Sequence, residues 1–282
     1  MPTSFYSLPP EIRYQIFNTI WRFSPVPSFD CVTGLVRIIP HGHSSADQPY
    51  WPGFEQPPGQ LLGLPQWLLA SKTFWDEGVD CLRRYPTELH LHENSDDSVR
   101  APNSSSELWY QLATRLNVFV PLEETWFLPS QINNRNISVK HAQNLASLAS
   151  LLTSKGRTKH LTITLRDDCI LFDDTFQCMI ETGIIMPRPI YLSELHVITA
   201  VVPQLRTFEI IFAEEFEAGN DDPAYAVMRQ KFFDSLRSNI ETLGFFDTRD
   251  MSLEMKKVDL DSRDVSRRKM THTNWCFIFK RK

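Results

Sequence analysis

Few residue groups in this chain have the types and spacing that chemistry needs. His41 and His43 flank Gly42 and could grip a metal from one side, but no third His or Cys stands close to them in sequence. Asp167, Asp168, Asp173 and Asp174 form two carboxylate pairs just beyond the strand-like run His160–Arg166, a place where α/β proteins bind ligands. The same aspartates suit helix capping and chain turning. An enzyme of unrecognised type would draw on Asp167–Asp174 or on the two histidines. No G-x-S-x-G elbow, G-x-x-x-x-G-K-[ST] loop, G-x-G-x-x-G turn or H-E-x-x-H pair occurs. Glycine is scarce, with 10 in 282 residues, so loops that bring backbone close to a phosphate have little to be built from. The sequence leads us to expect no catalytic residue, no cofactor and no metal.

The five cysteines, at 31, 81, 169, 178 and 276, are odd in number and contain no C-x-x-C pair. That pattern fits neither a disulfide framework nor a zinc site. A formal charge of −5 gives no general attraction to nucleic acid. The charge is unevenly placed: Glu209 to Asp222 is acidic without a base, and Lys256 to Lys282 is mainly basic. These read as a solvated acidic loop and a basic surface strand. With no leader-like start and no apolar run of about 18 residues, the chain is expected to be soluble and cytoplasmic or nuclear, with no membrane partner.

Residues 8–23 carry Ile12, Ile16 and Ile20 four apart, with Phe17 and Phe23 widening the stripe. This predicts an amphipathic helix with Pro10 in its first turn and Pro25 and Pro27 beyond its end. A strand is expected at 32–39, then a proline-rich loop at 40–60. A second helix is expected over about 66–84, with Leu68, Trp75, Val79 and Leu82 on one face. In the strand after it, Leu89 and Leu91 should point inward and Glu88, His90 and His92 outward. Residues 93–106 are polar and breaker-rich, an exposed loop or linker between a region 1–92 and a region 107–282.

Beyond it, helices are expected near 139–154, 190–202 and 224–241. The first carries Leu145, Leu148 and Leu152, the second Leu192, Leu195 and Ile198, the third Tyr225, Phe232, Leu236 and Ile240. Strands are expected at 160–166, 207–212, near 243–247 and at 275–280. Alternation of helix and strand suggests an α/β layer or an irregular leucine-rich-repeat-like arc. The fold class is α+β: a helical N-terminal region with an inserted strand, followed by an α/β interaction region.

The run LPPEIRYQIF, Leu8 to Phe17, resembles the opening of an F-box, in the form found in F-box-like proteins of filamentous fungi. LLGLPQWLLASKTFWDEGVDCLRRY, Leu61 to Tyr85, is similar to that family's second block, where an apolar run precedes Ser-Lys, an aromatic, an acidic residue and a closing Tyr. The resemblance covers about residues 5–92. It implies a non-catalytic protein-interaction module whose helices dock the Skp-type adaptor of a cullin–RING ubiquitin ligase. The later region would then recognise an unknown target protein. It carries docking roles onto Leu8, Pro9, Glu11, Ile12 and Ile16. Here residues 24–60 separate the two blocks, an insertion that a compact F-box lacks. A scaffold of the same build without a ubiquitin role is the alternative.

Overall fold

The computed structural model describes residues 4–24, 26–31, 34–40, 64–91, 113–125, 134–166, 190–217, 223–243, 251–265 and 268–281. They form a mixed α/β structure with two compact units, Met1–Val118 with Lys155–Lys159, and Phe119–Ser154 with His160–Lys282. The chain passes from one unit to the other inside a strand, and residues 93–106 lie outside the described residues.

In the first unit a 3-10 turn, Phe5–Ser7, leads into α1, Pro10–Phe23. Pro9 occupies the N-cap, and its carbonyl accepts from the amides of Ile12 and Arg13. Pro10 sits at the first helical position, where a missing N–H costs nothing. The helix ends where Ser24 turns extended. Strand β1, Ser28–Cys31, pairs antiparallel with β2, Gly34–Ile38, and β2 pairs antiparallel with β3, Thr87–Leu91.

The helix expected over 66–84 is two elements. A 3-10 helix, Gln66–Ala70, follows Pro65, and α2 is Lys72–Leu82. Ser71 breaks the run because it lies in the extended region and turns its side chain to cap α2, accepting from the Phe74 amide at 3.1 Å. Leu68, Val79 and Leu82 are buried as expected, while Trp75 is half-buried at the edge of the same cluster.

The core of this unit joins Phe17 and Trp21 of α1 to Leu68, Val79, Cys81, Leu82 and Tyr85, with Ile38 from β2. Aromatic edges lock it: the Phe17 and Phe74 rings lie 4.8 Å apart, and those of Trp21 and Trp67 4.7 Å apart. The buried indole N–H of Trp21 donates to the Gly78 carbonyl at 3.0 Å, so the helices approach closely there. A Cβ at Gly78 would stand 2.6 Å from Leu68 Cδ2, which explains why that position has none. Arg13 adds a two-pronged bond to Glu77, at 3.0 and 2.8 Å, between the same two helices.

One strand expectation fails. Glu88 and His90 of β3 do not face solvent; all five residues of the strand are buried. A sheet covered on both faces loses the polar-out alternation that the sequence suggested. His92 lies outside the described residues.

Strand β4, Arg115–Pro121, inside which the chain leaves the first unit for the second, buries Leu116, Val118 and Val120 in strict alternation. Strands β5, Glu123–Thr125, β6, Asn134–Asn136, and β8, Ile190–Tyr191, form a small sheet, antiparallel then parallel. Helix α3, Val139–Lys155, places Leu145, Leu148 and Leu152 in the core and precedes β7, His160–Arg166, whose Leu161, Ile163 and Leu165 are buried.

The stretch 190–202 is not an α-helix. After β8 come two 3-10 helices, Ser193–Ala200 and Val202–Gln204. Its buried residues Leu192, Leu195, Ile198 and Val201 recur every three residues, the period of a 3-10 helix.

Strand β9, Thr207–Glu217, runs parallel to β7. It reaches well into the acidic segment expected as a loop, because β11, Arg268–Arg281, pairs with it antiparallel as far as Glu217. The strand expected at 275–280 is the end of β11. Strand β10, Met251–Val265, was not anticipated and completes a long hairpin with β11. Helix α4, Pro223–Thr242, buries Leu236 and Ile240, and its Phe233 ring stacks on Trp275 and Phe277. The side chains of Tyr225 and Phe232, and residues 244–247, lie outside the described residues. No described helix is long and apolar enough to cross a membrane.

Candidate functional site

Helix α1 carries apolar residues on two sides. Taking about 100° per residue, Ile12, Ile16, Ile20 and Phe23 fall within an arc of about 80°. Phe17 and Trp21 point more than about 60° away from that arc. Only the second pair is core: Phe17 is 1% exposed, and Trp21 is fully buried. Phe23, which widens the stripe in the sequence, is 82% exposed. The reason is geometric. Phe23 lies about 20° from Ile12 on the helix and must share its environment.

Of the expected docking residues, Ile12 is 41% exposed and Ile16 is half-buried. Pro9 and Glu11 are exposed, and Leu8 is half-buried with its carbonyl accepting from Arg13 Nη1 at 2.7 Å. All five lie on α1 or the two residues before it. Ile20, which is half-buried, and Phe23 belong to the same stripe but not to that docking set. Their spacing from Ile16 was the available signal. Tyr6 and Leu69 add exposed apolar surface to the same unit, and the Tyr6 hydroxyl meets Ser71 Oγ at 2.5 Å.

A second constellation was not foreseen at all. Arg37 of β2 and Glu88 of β3 are register partners, and both are nearly inaccessible. Arg37 Nη1 lies 3.6 Å from Glu88 Oε2, and His90 Nε2 lies 3.3 Å from the same oxygen. One carboxylate thus serves two cationic or donor groups inside the sheet. Such a set fixes β2 against β3 in register, since a slip would strand a buried charge.

Two titratable groups beneath α1 are held in their protonated forms by burial. Desolvation pushes the Cys81 thiol up to about 11, with its Sγ 3.4 Å from Asn18 Oδ1. The Tyr85 hydroxyl donates to that same Asn18 oxygen, and burial raises its pKa above the usual phenol range. A neutral, buried thiol is neither a nucleophile nor a ready metal ligand. Cys276, in β11, is likewise buried with its pKa raised by desolvation. Among the described residues no group of three or more His, Cys, Asp or Glu could hold a metal ion. His41, His43, Asp167, Asp168, Asp173 and Asp174 lie outside the described residues.

Among the described residues, helix α1 thus carries an apolar strip that is open at Ile12 and Phe23 and half-buried at Ile16 and Ile20. It can bury area against another macromolecule without disturbing the core behind it. No protein-family model, no curated protein and no solved structure matches this chain.

Proposed function

We propose that this chain is a non-catalytic protein-interaction module of F-box-like type, with α1 as its docking element. The observation that carries the reading is the stripe from Ile12 to Phe23, exposed at those two residues and half-buried at Ile16 and Ile20 between them, set apart from a core face built from Phe17 and Trp21. A helix that merely caps its own domain needs one apolar face; a second one is explained by a partner. The partner that the sequence resemblance implies is the Skp-type adaptor of a cullin–RING ligase, with Leu8, Pro9, Glu11, Ile12 and Ile16 at the contact. In that role the second unit holds a target protein. Its parallel β7–β9 pair, preceded by α3, supports a repeat-like arc over that stretch, while β11 and β10 extend the sheet in antiparallel fashion.

The test is affinity purification of the tagged chain from cells, with the retained proteins identified by mass spectrometry. The ligase role requires a Skp-type protein and a cullin among them. Retention of other proteins alone, with a well-folded bait, would leave the scaffold role and remove the ligase one.

A further inference from the structure

We propose that the chain self-associates through the outer edge of β10, which pairs antiparallel with β10 of a second copy to join two sheets into one. Strand β10 spans 15 residues and ends the strand order of its sheet. Among the described residues it pairs with β11 alone. An edge of that length presents a row of backbone donors and acceptors that another strand can satisfy. Its side chains suit a shared sheet. Leu253 and Met255 are half-buried and continue the apolar rows that end in Phe279 and Phe277 of β11. Ser252, Glu254, Lys256 and Lys257 are exposed.

A two-fold pairing can be centred on several residues, and charge selects among them. Centring on Glu254, Lys256 or Lys257 sets a charged side chain against its own copy, which is unfavourable across strands. Centring on Leu253 leaves only Met251 to Met255 paired. Centring on Val258 runs the ladder into the register shift between Leu260 and Arg263. Centring on Met255 pairs Met251 through Asp259 before that irregularity and sets no like charges directly opposite each other. It places Glu254 opposite Lys256 of the second copy twice, once on each side of the axis. Within one copy Lys280 Nζ already lies 2.5 Å from Glu254, so the carboxylate would sit between two ammonium groups.

The pattern gives a charge-swap test by sedimentation velocity over a range of protein concentrations. Wild type is expected to form a dimer. Glu254→Lys and Lys256→Glu are each expected to be monomeric, since each turns both facing pairs into like charges. An equimolar mixture of the two variants should recover the dimer, because every facing pair is then opposite in sign. That recovery also reports that both variants are folded. A wild type that stays monomeric at the highest concentration overturns the proposal. So do variants that self-associate as wild type does, or a mixture that remains monomeric.

Discussion

Replacing Phe17 by Ala and, separately, Phe23 by Ala should separate the two sides of α1 by their cost. Phe17 is 1% exposed and lies against the rings of Phe5, Trp67 and Phe74, at 5.6, 6.3 and 4.8 Å between centroids. Truncating it removes a whole buried ring and leaves a cavity between α1 and α2. A Phe→Ala change of this kind costs about 3–5 kcal/mol. The surrounding aromatic cluster cannot collapse freely, because Trp21 and Trp67 are held by hydrogen bonds to Gly78 O and Ser24 Oγ. The cost should therefore sit toward the upper part of that range. Phe23 is 82% exposed, so its truncation should change stability by no more than about 0.5 kcal/mol. Urea unfolding followed by tryptophan fluorescence measures both, since Trp21 and Trp67 report on this core. Equal losses for the two variants would refute the assignment of opposite faces.

Three further outcomes follow from the same contacts. Glu88→Ala strips the Arg37 guanidinium of its buried carboxylate and should cost about 3–5 kcal/mol, whereas Asp80→Ala, which breaks the exposed pair with Arg84, should cost less than about 1 kcal/mol. Urea titrations of the two variants give the comparison directly. Cys81, its thiol pushed up from 9.0 to about 11, should resist alkylation in the native protein at pH 8 and react once unfolded. The folded state holds this proton more tightly than the unfolded state, so the thiol's contribution to stability is present below pH 9 and is lost as pH rises toward 11. Gly78→Ala gains helix propensity of about 1 kcal/mol but forces a Cβ within 2.6 Å of Leu68 Cδ2. Leu68 is fully buried, so the clash should prevail and lower the denaturation midpoint; a raised midpoint would show that this side chain yields.

Where the sequence was legible, hydrophobic period and burial coincided. Leu145, Leu148 and Leu152 on α3 and Leu161, Ile163 and Leu165 on β7 could be placed because each period met a single core face. Helix α1 was legible as a helix but not in its orientation. It has two apolar stripes, and the regular Ile12–Ile16–Ile20 row was the more conspicuous of them. The core took Phe17 and Trp21 instead, whose rings fill more volume. Strand β10 was missed because Glu254, Lys256, Lys257 and Asp259 interrupt its alternation, as suits the edge of a sheet. Strand β1 is only four residues long and follows Pro25 and Pro27, which mask its pattern. The acidic stretch through Glu217 is a strand because β11 supplies the ladder, a partner about sixty residues away that no local window contains. For the candidate site, Leu8, Pro9, Glu11, Ile12 and Ile16 could be picked out together because they are close in sequence at one helix start, whereas the exposure of Phe23 shows only once the faces of the helix are known. The Arg37–Glu88–His90 set depends on a strand register that one sequence does not display.

The most direct test of the interaction role is to replace Ile12 by Asp and to measure two things on the same purified protein: capture by a Skp-type adaptor and resistance to urea. Ile12 is 41% exposed and stands apart from Phe17 and Trp21, so a carboxylate there remains solvated and the unfolding midpoint should stay close to that of wild type. Capture should be lost. If instead the variant unfolds early while wild type binds no adaptor, the outer stripe is core to something within this chain, and the docking role of α1 is contradicted.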